Sequence, residues 1–210
     1  MNAPLIGERV QRKEDYRFLT GAGQYTDDVT LPNQAYAAFV RSPHAHAAIR
    51  KVSTEKALAA PGVLGVYTGA DLASAKLGGL PCGWLITDVK GQPMKEPPHP
   101  CLAQGKVRHV GDPVAVVVAA SLEQARDAAE KVEVDYEVLP AVVDPVKAIA
   151  KGTPALHDIA PDNVCYVWAL GDKAKVDEAF ARAAHVTRLD FINNRLIPNA
   201  IEPRAANGSY

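Results

Sequence analysis

Two histidines separated by one residue stand in the stretch RSPHAHAAIR at positions 41–50. On a β-strand, residues i and i+2 share a face, so His44 and His46 could offer two imidazole nitrogens to one metal ion. A metal site needs a third ligand, and His99, His109, His157 and His185 are scattered singles with no fixed spacing to the pair. Pro43 also disfavours a regular central strand there, because proline cannot donate to the ladder. The expected role is therefore structural hydrogen bonding where a strand leaves for a loop.

Three carboxylates, Glu133, Asp135 and Glu137, alternate with Val132, Val134, Tyr136 and Val138. That spacing lines one face, as a cation site or an acid–base set requires. Carboxylates opposite alternating apolar residues are, however, the ordinary solvated side of a half-buried strand. The turns GAG at 21–23 and GDPVAV at 111–116 lack the G-x-G-x-x-G pattern, and neither carries the lysine of a phosphate-binding loop. No Ser, His and Asp have the spacing of a nucleophile elbow. Cys82, Cys101 and Cys165 lie far apart with no C-x-x-C, which argues against a disulfide framework and a self-contained zinc or iron–sulfur site. All three are expected to be buried small hydrophobes, with Cys82 and Cys101 retaining a pocket role as an alternative. The residues alone assign no catalytic group, no metal ligand and no cofactor-binding residue.

The elements that would position these side chains follow from pattern. AYAAFVRS, after the turn-rich residues 21–36, reads as a first strand. STEKALAAPGV at 53–63 reads as a short helix with Ser53 as N-cap, stopped by Pro61-Gly62. A strand follows at Val63–Thr68, and then residues 73–105 hold many chain breakers and little periodicity. The run VAVVVAA at 114–120 suits a buried strand after a turn at Gly111-Asp112. SLEQARDAAEKV has Ser121 at N-cap and Gln124 at N3, with Leu122, Ala125, Ala129 and Val132 as its apolar stripe. Strand–helix–strand is the local unit, so the class is α/β or α+β. Residues 144–163 are rich in Pro, Gly and Asp and read as a crossing linker. Val176, Ala179, Phe180 and Ala183 then mark an amphipathic helix, and a strand is expected to start in HVTRLDFINNRL at 185–196.

With 210 residues, the chain suits one large domain or two small ones. A formal net charge of -1 with dispersed Lys and Arg gives no footprint for a phosphate backbone. The longest apolar run is too short to cross a bilayer, and the N-terminus lacks the order of a secretory signal, so a cytoplasmic location is the default expectation.

Five stretches occurring in order go further: RKEDYRFLTGAGQYTDDVTLP at 12–32, FVRSPHAHAAIRKV at 39–52, APGVLGVYTGADL at 60–72, VRHVGDPVAVVVA at 107–119 and AAEKVEVDYEVLPAVVD at 128–144. Together they resemble the N-terminal part of the molybdopterin-binding large subunit of the xanthine dehydrogenase, aldehyde oxidase and aerobic carbon monoxide dehydrogenase family. EDYRFLTGAGQYTDD looks most like its carbon-monoxide-dehydrogenase-type bacterial members. NNRLIPNAIEPRAANGSY at 193–210 resembles the opening of that family's molybdopterin-binding domain, with Ile201 where methionine is common.

The resemblance implies an α+β fold: an a/b hammerhead domain over 1–145, a linker over 146–163, and the truncated start of a molybdopterin-binding domain over 164–210. It implies an oxidoreductase complex in which the large subunit holds molybdenum on a molybdopterin cytosine dinucleotide. A glutamate near the far C-terminus would act as general base, and electrons would pass to two [2Fe-2S] clusters on a small subunit and to FAD on a medium subunit. The family's pterin loop, active-site loop and catalytic glutamate have no match in these 210 residues. No catalytic or cofactor-binding residue is therefore carried over, and this chain alone is expected to be inactive and to bind no cofactor. Glu202 and Arg204 match the family's Glu-Pro-Arg motif and are expected to brace the start of the pterin domain. Carbon monoxide, aldehydes, purines and other N-heterocycles are the family's substrate classes. The alternative is a stand-alone, non-catalytic hammerhead module for assembly or binding.

Overall fold

The apolar run at 114–120 becomes the central strand of a sheet. In the computed structural model, which describes residues 6–7, 9–200 and 202–209, Pro113–Ala119 (β5) lies between Tyr36–Arg41 (β1) and Val63–Thr68 (β3), antiparallel to both. Pro113 is the first residue of its strand, the position at which a missing N–H disturbs the ladder least. A second antiparallel sheet places Ala47–Ser53 (β2) between Lys106–Val107 (β4) and Glu133–Val138 (β6). Both sheets lie in one compact unit, residues 35–186. The α+β class read from the sequence holds.

Helix Leu122–Ala129 (α4) covers the first sheet. Its Ser121 Oγ accepts from Gln124 N at 3.2 Å, the N-cap read from the sequence. Ala125 and Ala128 are its buried residues, so the apolar stripe falls partly on Ala128, with Ala129 at the margin. Ala57, Ala115, Val117, Ala128 and Val132 form one core cluster, and Ala47, Ala103, Val107 and Val114 a second, with Val52 and Val134 touching both. The core is built from alanine and valine, so strands and helix approach closely.

Two short helices flank β3. The first, Glu55–Leu58 (α2), is preceded by Thr54 at N-cap, while Ser53 ends β2. The second, Gly69–Ser74 (α3), begins where a Cβ on Gly69 would fall on the Ala103 carbonyl oxygen. Residues 75–105 hold no helix or strand longer than a single bridge, in line with the breaker-rich sequence.

The segment at 144–163 is folded, not merely extended. Asp144 caps Pro145–Ala148 (α5) by accepting from Val146 N and Lys147 N. Asn163 pins the turns after α5: its Oδ1 accepts from Leu156 N at 2.9 Å, and its Nδ2 donates to the carbonyls of Ala148 and Pro154, each at 3.0 Å. Helix Lys173–Arg182 (α6) forms where the periodicity placed it, but none of its residues is buried, and Val176 and Phe180 are more than half exposed. The strand expected from residue 185 onward does not form; residues 184–200 carry no regular element.

The second unit joins residues 1–34 with 187–210. It contains Asp15–Leu19 (α1) and a single 3₁₀ turn at Thr26–Asp28. The Phe18 and Tyr25 rings stack at 6.0 Å. Glu202 accepts from Thr26 N at 3.0 Å and Thr26 Oγ1 at 3.3 Å, and Asn207 Nδ2 donates to the Thr26 carbonyl at 3.0 Å. Ile201 and Tyr210 lie outside the described residues.

Candidate functional site

His44 and His46 do not sit on a strand. They occupy the turn between β1 and β2, and that turn is held from several sides. Ser42 N donates to the Asp112 carbonyl at 2.9 Å and its own carbonyl accepts from Gly111 N at 2.8 Å. The Ser42 hydroxyl meets His44 N at 3.0 Å. Gly111, at φ 87, makes the opposing turn in a backbone region that costs glycine little.

The two rings then part. The His44 ring stands edge-on to Tyr136, centroids 5.0 Å apart at 72°. His46 is buried, and its Nδ1 lies 2.8 Å from the Pro140 carbonyl oxygen. A carbonyl can only accept, so His46 Nδ1 is the donor of this bond. Nε2 is buried with no hydrogen-bond partner among the described residues. Leu139 N also donates to the His46 carbonyl at 3.0 Å, so His46 clasps the chain leaving β6 by both ring and backbone. The expected structural hydrogen bonding is present at His46, although the location is a strand-to-strand turn.

Around this clasp lie residues whose spacing in sequence gave no warning. Arg108 N donates to Asp112 Oδ2 at 2.9 Å, and Arg108 Nε to the Leu156 carbonyl at 3.1 Å. His109 Nδ1 lies 3.7 Å from the same Asp112 oxygen. Arg108, His109, Asp112 and His157 line a cavity of about 280 Å³ together with Lys106, walled by Pro97, Pro98, His99 and Pro100. Burial holds the His157 imidazole below its ordinary 6.5; Arg108 and His46 push the same way and Asp158 opposes them. Burial also pushes the Tyr136 hydroxyl above 10.0, with the Ser42 hydroxyl working against it. His109 and His157 were scattered singles in the sequence, and only the pairing of distant segments brings them to one place.

The carboxylates of β6 behave as a wet face. Glu133 pairs with Lys56, whose hydrogen bond holds the carboxyl below its usual range, and Glu137 pairs with Arg50. Cys82 and Cys101 are exposed, contrary to the expectation that they are buried hydrophobes; the breaker-rich stretch that carries them packs too loosely to cover them. Cys165 lines a small cavity with Val142, Leu156 and His157. Among the described residues, no three or more His, Cys, Asp or Glu come together in a group that could hold a metal ion. The arrangement is a brace with a basic cavity beside it.

The sequence pattern described as "Aldehyde oxidase and xanthine dehydrogenase, a/b hammerhead domain" matches residues 20–140. The chain is 40% identical over 209 residues to the carbon monoxide dehydrogenase large chain of Afipia carboxidovorans, covering 94% of this chain and 24% of that one. It is 37% identical to the nicotine 6-hydroxylase large subunit of Paenarthrobacter nicotinovorans, covering 98% of this chain and again 24% of the other. Among solved structures, a Cu,Mo-CO dehydrogenase matches with a TM-score of 0.69 and 39% identity, over 85% of this chain and 23% of that one. The quinoline 2-oxidoreductase of Pseudomonas putida 86 matches with a TM-score of 0.58 and 43% identity, over 68% of this chain and 17% of the other. The chain thus spans about a quarter of the length of the curated relatives it matches. Sequence and fold agree that the chain belongs to the aldehyde oxidase and xanthine dehydrogenase family, and that it carries that family's a/b hammerhead domain.

Proposed function

We propose that this chain is the N-terminal portion of the large subunit of a molybdenum hydroxylase, and that it frames the active site without supplying its reacting groups. The supporting observation is the extent of the match. Likeness to the carbon monoxide dehydrogenase large chain runs over 94% of the chain, well past the hammerhead boundary at residue 140. A bare hammerhead module would have no reason to carry the further residues in the same order.

In this reading residues 1–145 are the hammerhead domain, 146–163 the connection and 164–210 the start of the molybdopterin-binding domain. The cofactor, when bound by the whole subunit, supplies the two-electron chemistry on a molybdopterin cytosine dinucleotide. The present residues orient and support: the His46 clasp fixes the exit of β6, and Glu202 anchors the turn at Thr26. The partners are the remainder of the molybdopterin domain, a [2Fe-2S] small subunit and an FAD-binding medium subunit, in the cytoplasm. Among the described residues no helix is long and apolar enough to cross a membrane.

The test is capture of the protein from its native cells through a tag on this chain, followed by assay of dye-linked oxidation. Carbon monoxide, an aldehyde, a purine and an N-heterocycle are offered separately. Oxidation of one of them, with iron–sulfur and flavin absorbance in the captured complex, is expected. Capture of a colourless chain with no oxidation of any of the four would favour the stand-alone module.

A further inference from the structure

The cavity beside the His46 clasp has a lining that its own fold leaves unbalanced. Lys106, Arg108, His109 and His157 are among its lining residues, together with His99. Asp112 is the lining carboxylate, and its Oδ2 is already engaged by Arg108 N at 2.9 Å, with His109 Nδ1 at 3.7 Å. Asp158 approaches Lys106 at 3.9 Å with a side chain 92% exposed, a geometry that neutralises little charge. Among the described residues the Arg108 guanidinium makes one hydrogen bond, from Nε to Leu156, which leaves its terminal nitrogens available. The His157 ring makes none among them. A planar guanidinium fork with an imidazole and an ammonium beside it is the donor set that tetrahedral oxyanions recognise.

We propose that this cavity is an oxyanion site, taking inorganic phosphate or the phosphoryl end of a small phosphomonoester, with Arg108 as the main ligand and Lys106 and His157 as supports. The volume, about 280 Å³, admits the anion and a short organic stem. Burial first, then Arg108, disfavours a charge on His157 in the free protein, whereas Asp158 favours it. A bound dianion reverses that balance, so binding and His157 protonation reinforce each other.

The experiment tracks the His157 ring signals by NMR in the 210-residue chain across pH. Inorganic phosphate, glycerol 3-phosphate and chloride at matched ionic strength are compared. Either phosphate species should raise the His157 midpoint by about 0.5 pH units or more over chloride, as a nearby opposite charge does. The species that binds more tightly identifies the natural source. Read from the phosphate-dependent shifts of the backbone amides of residues 106–112, which every variant keeps, Arg108→Gln should weaken binding about tenfold, and Lys106→Gln and His157→Gln about threefold each, as for lost charge-assisted bonds. Because Arg108 also holds Leu156, the lysine and histidine variants serve where Arg108→Gln does not fold. No effect beyond chloride, or affinities unchanged in Lys106→Gln and His157→Gln, would overturn the proposal.

Discussion

Replacing His46 by alanine removes a buried ring, breaks its bond to Pro140 and leaves that carbonyl without its partner. The expected cost is about 2–3 kcal/mol, read as a lower urea midpoint, from one hydrogen bond and a residual cavity. His44→Ala loses one edge contact with Tyr136 and should cost about 1 kcal/mol. A cost for His44→Ala as large as that for His46→Ala would show that the two rings share one task. His157 gives a pH signature. Its folded value lies below 6.5, so below that pH the unfolded chain binds the proton more readily. Its contribution to stability is complete above pH 6.5 and is lost as pH falls from 6.5 through the folded value. Urea midpoints should therefore decline less between pH 7 and pH 5.5 in His157→Gln than in the wild type; parallel declines would contradict the assignment. The sequence exposed the His44 and His46 pair and the absence of a third ligand. It could not show the cavity, because His157 reaches Arg108 and Asp112 only through tertiary pairing.

Among the elements, β5 carries the first sheet, and Val117 lies fully buried at its centre beneath α4. Val117→Ala should cost about 2–3 kcal/mol in a urea titration, from lost burial and an unfilled cavity. Leu64→Ala, at a residue 66% exposed on the neighbouring strand, should change stability by less than about 0.5 kcal/mol. Strands β3 and β5 and the cap of α4 were legible because their patterns are local and uninterrupted. Strand β2 was not, for a physical reason. Its burial does not alternate cleanly, and its register against β6 slips between Ile49 and Lys51, so no period of two survives in AAIRKVS. The strand expected after residue 185 did not form: the local pattern is present, but residues 184–200 enter neither ladder.

At the scale of the whole molecule, the fold predicts uneven resistance to protease. Residues 184–200 are exposed and carry no regular element, so limited trypsin should cut there before it cuts within strands β1, β2 and β6 or helix α4. Mass spectrometry of the first fragments checks this. The larger claim is that this chain belongs to a molybdenum subunit without holding the metal by itself, and metal content addresses it directly. Mass-spectrometric elemental analysis should be run on two samples: the purified 210-residue chain, and the complex captured through it from its native cells. The assignment predicts no stoichiometric molybdenum in the first and about one molybdenum per large subunit in the second. Near-stoichiometric molybdenum in the isolated chain, or none in the captured complex, would contradict it.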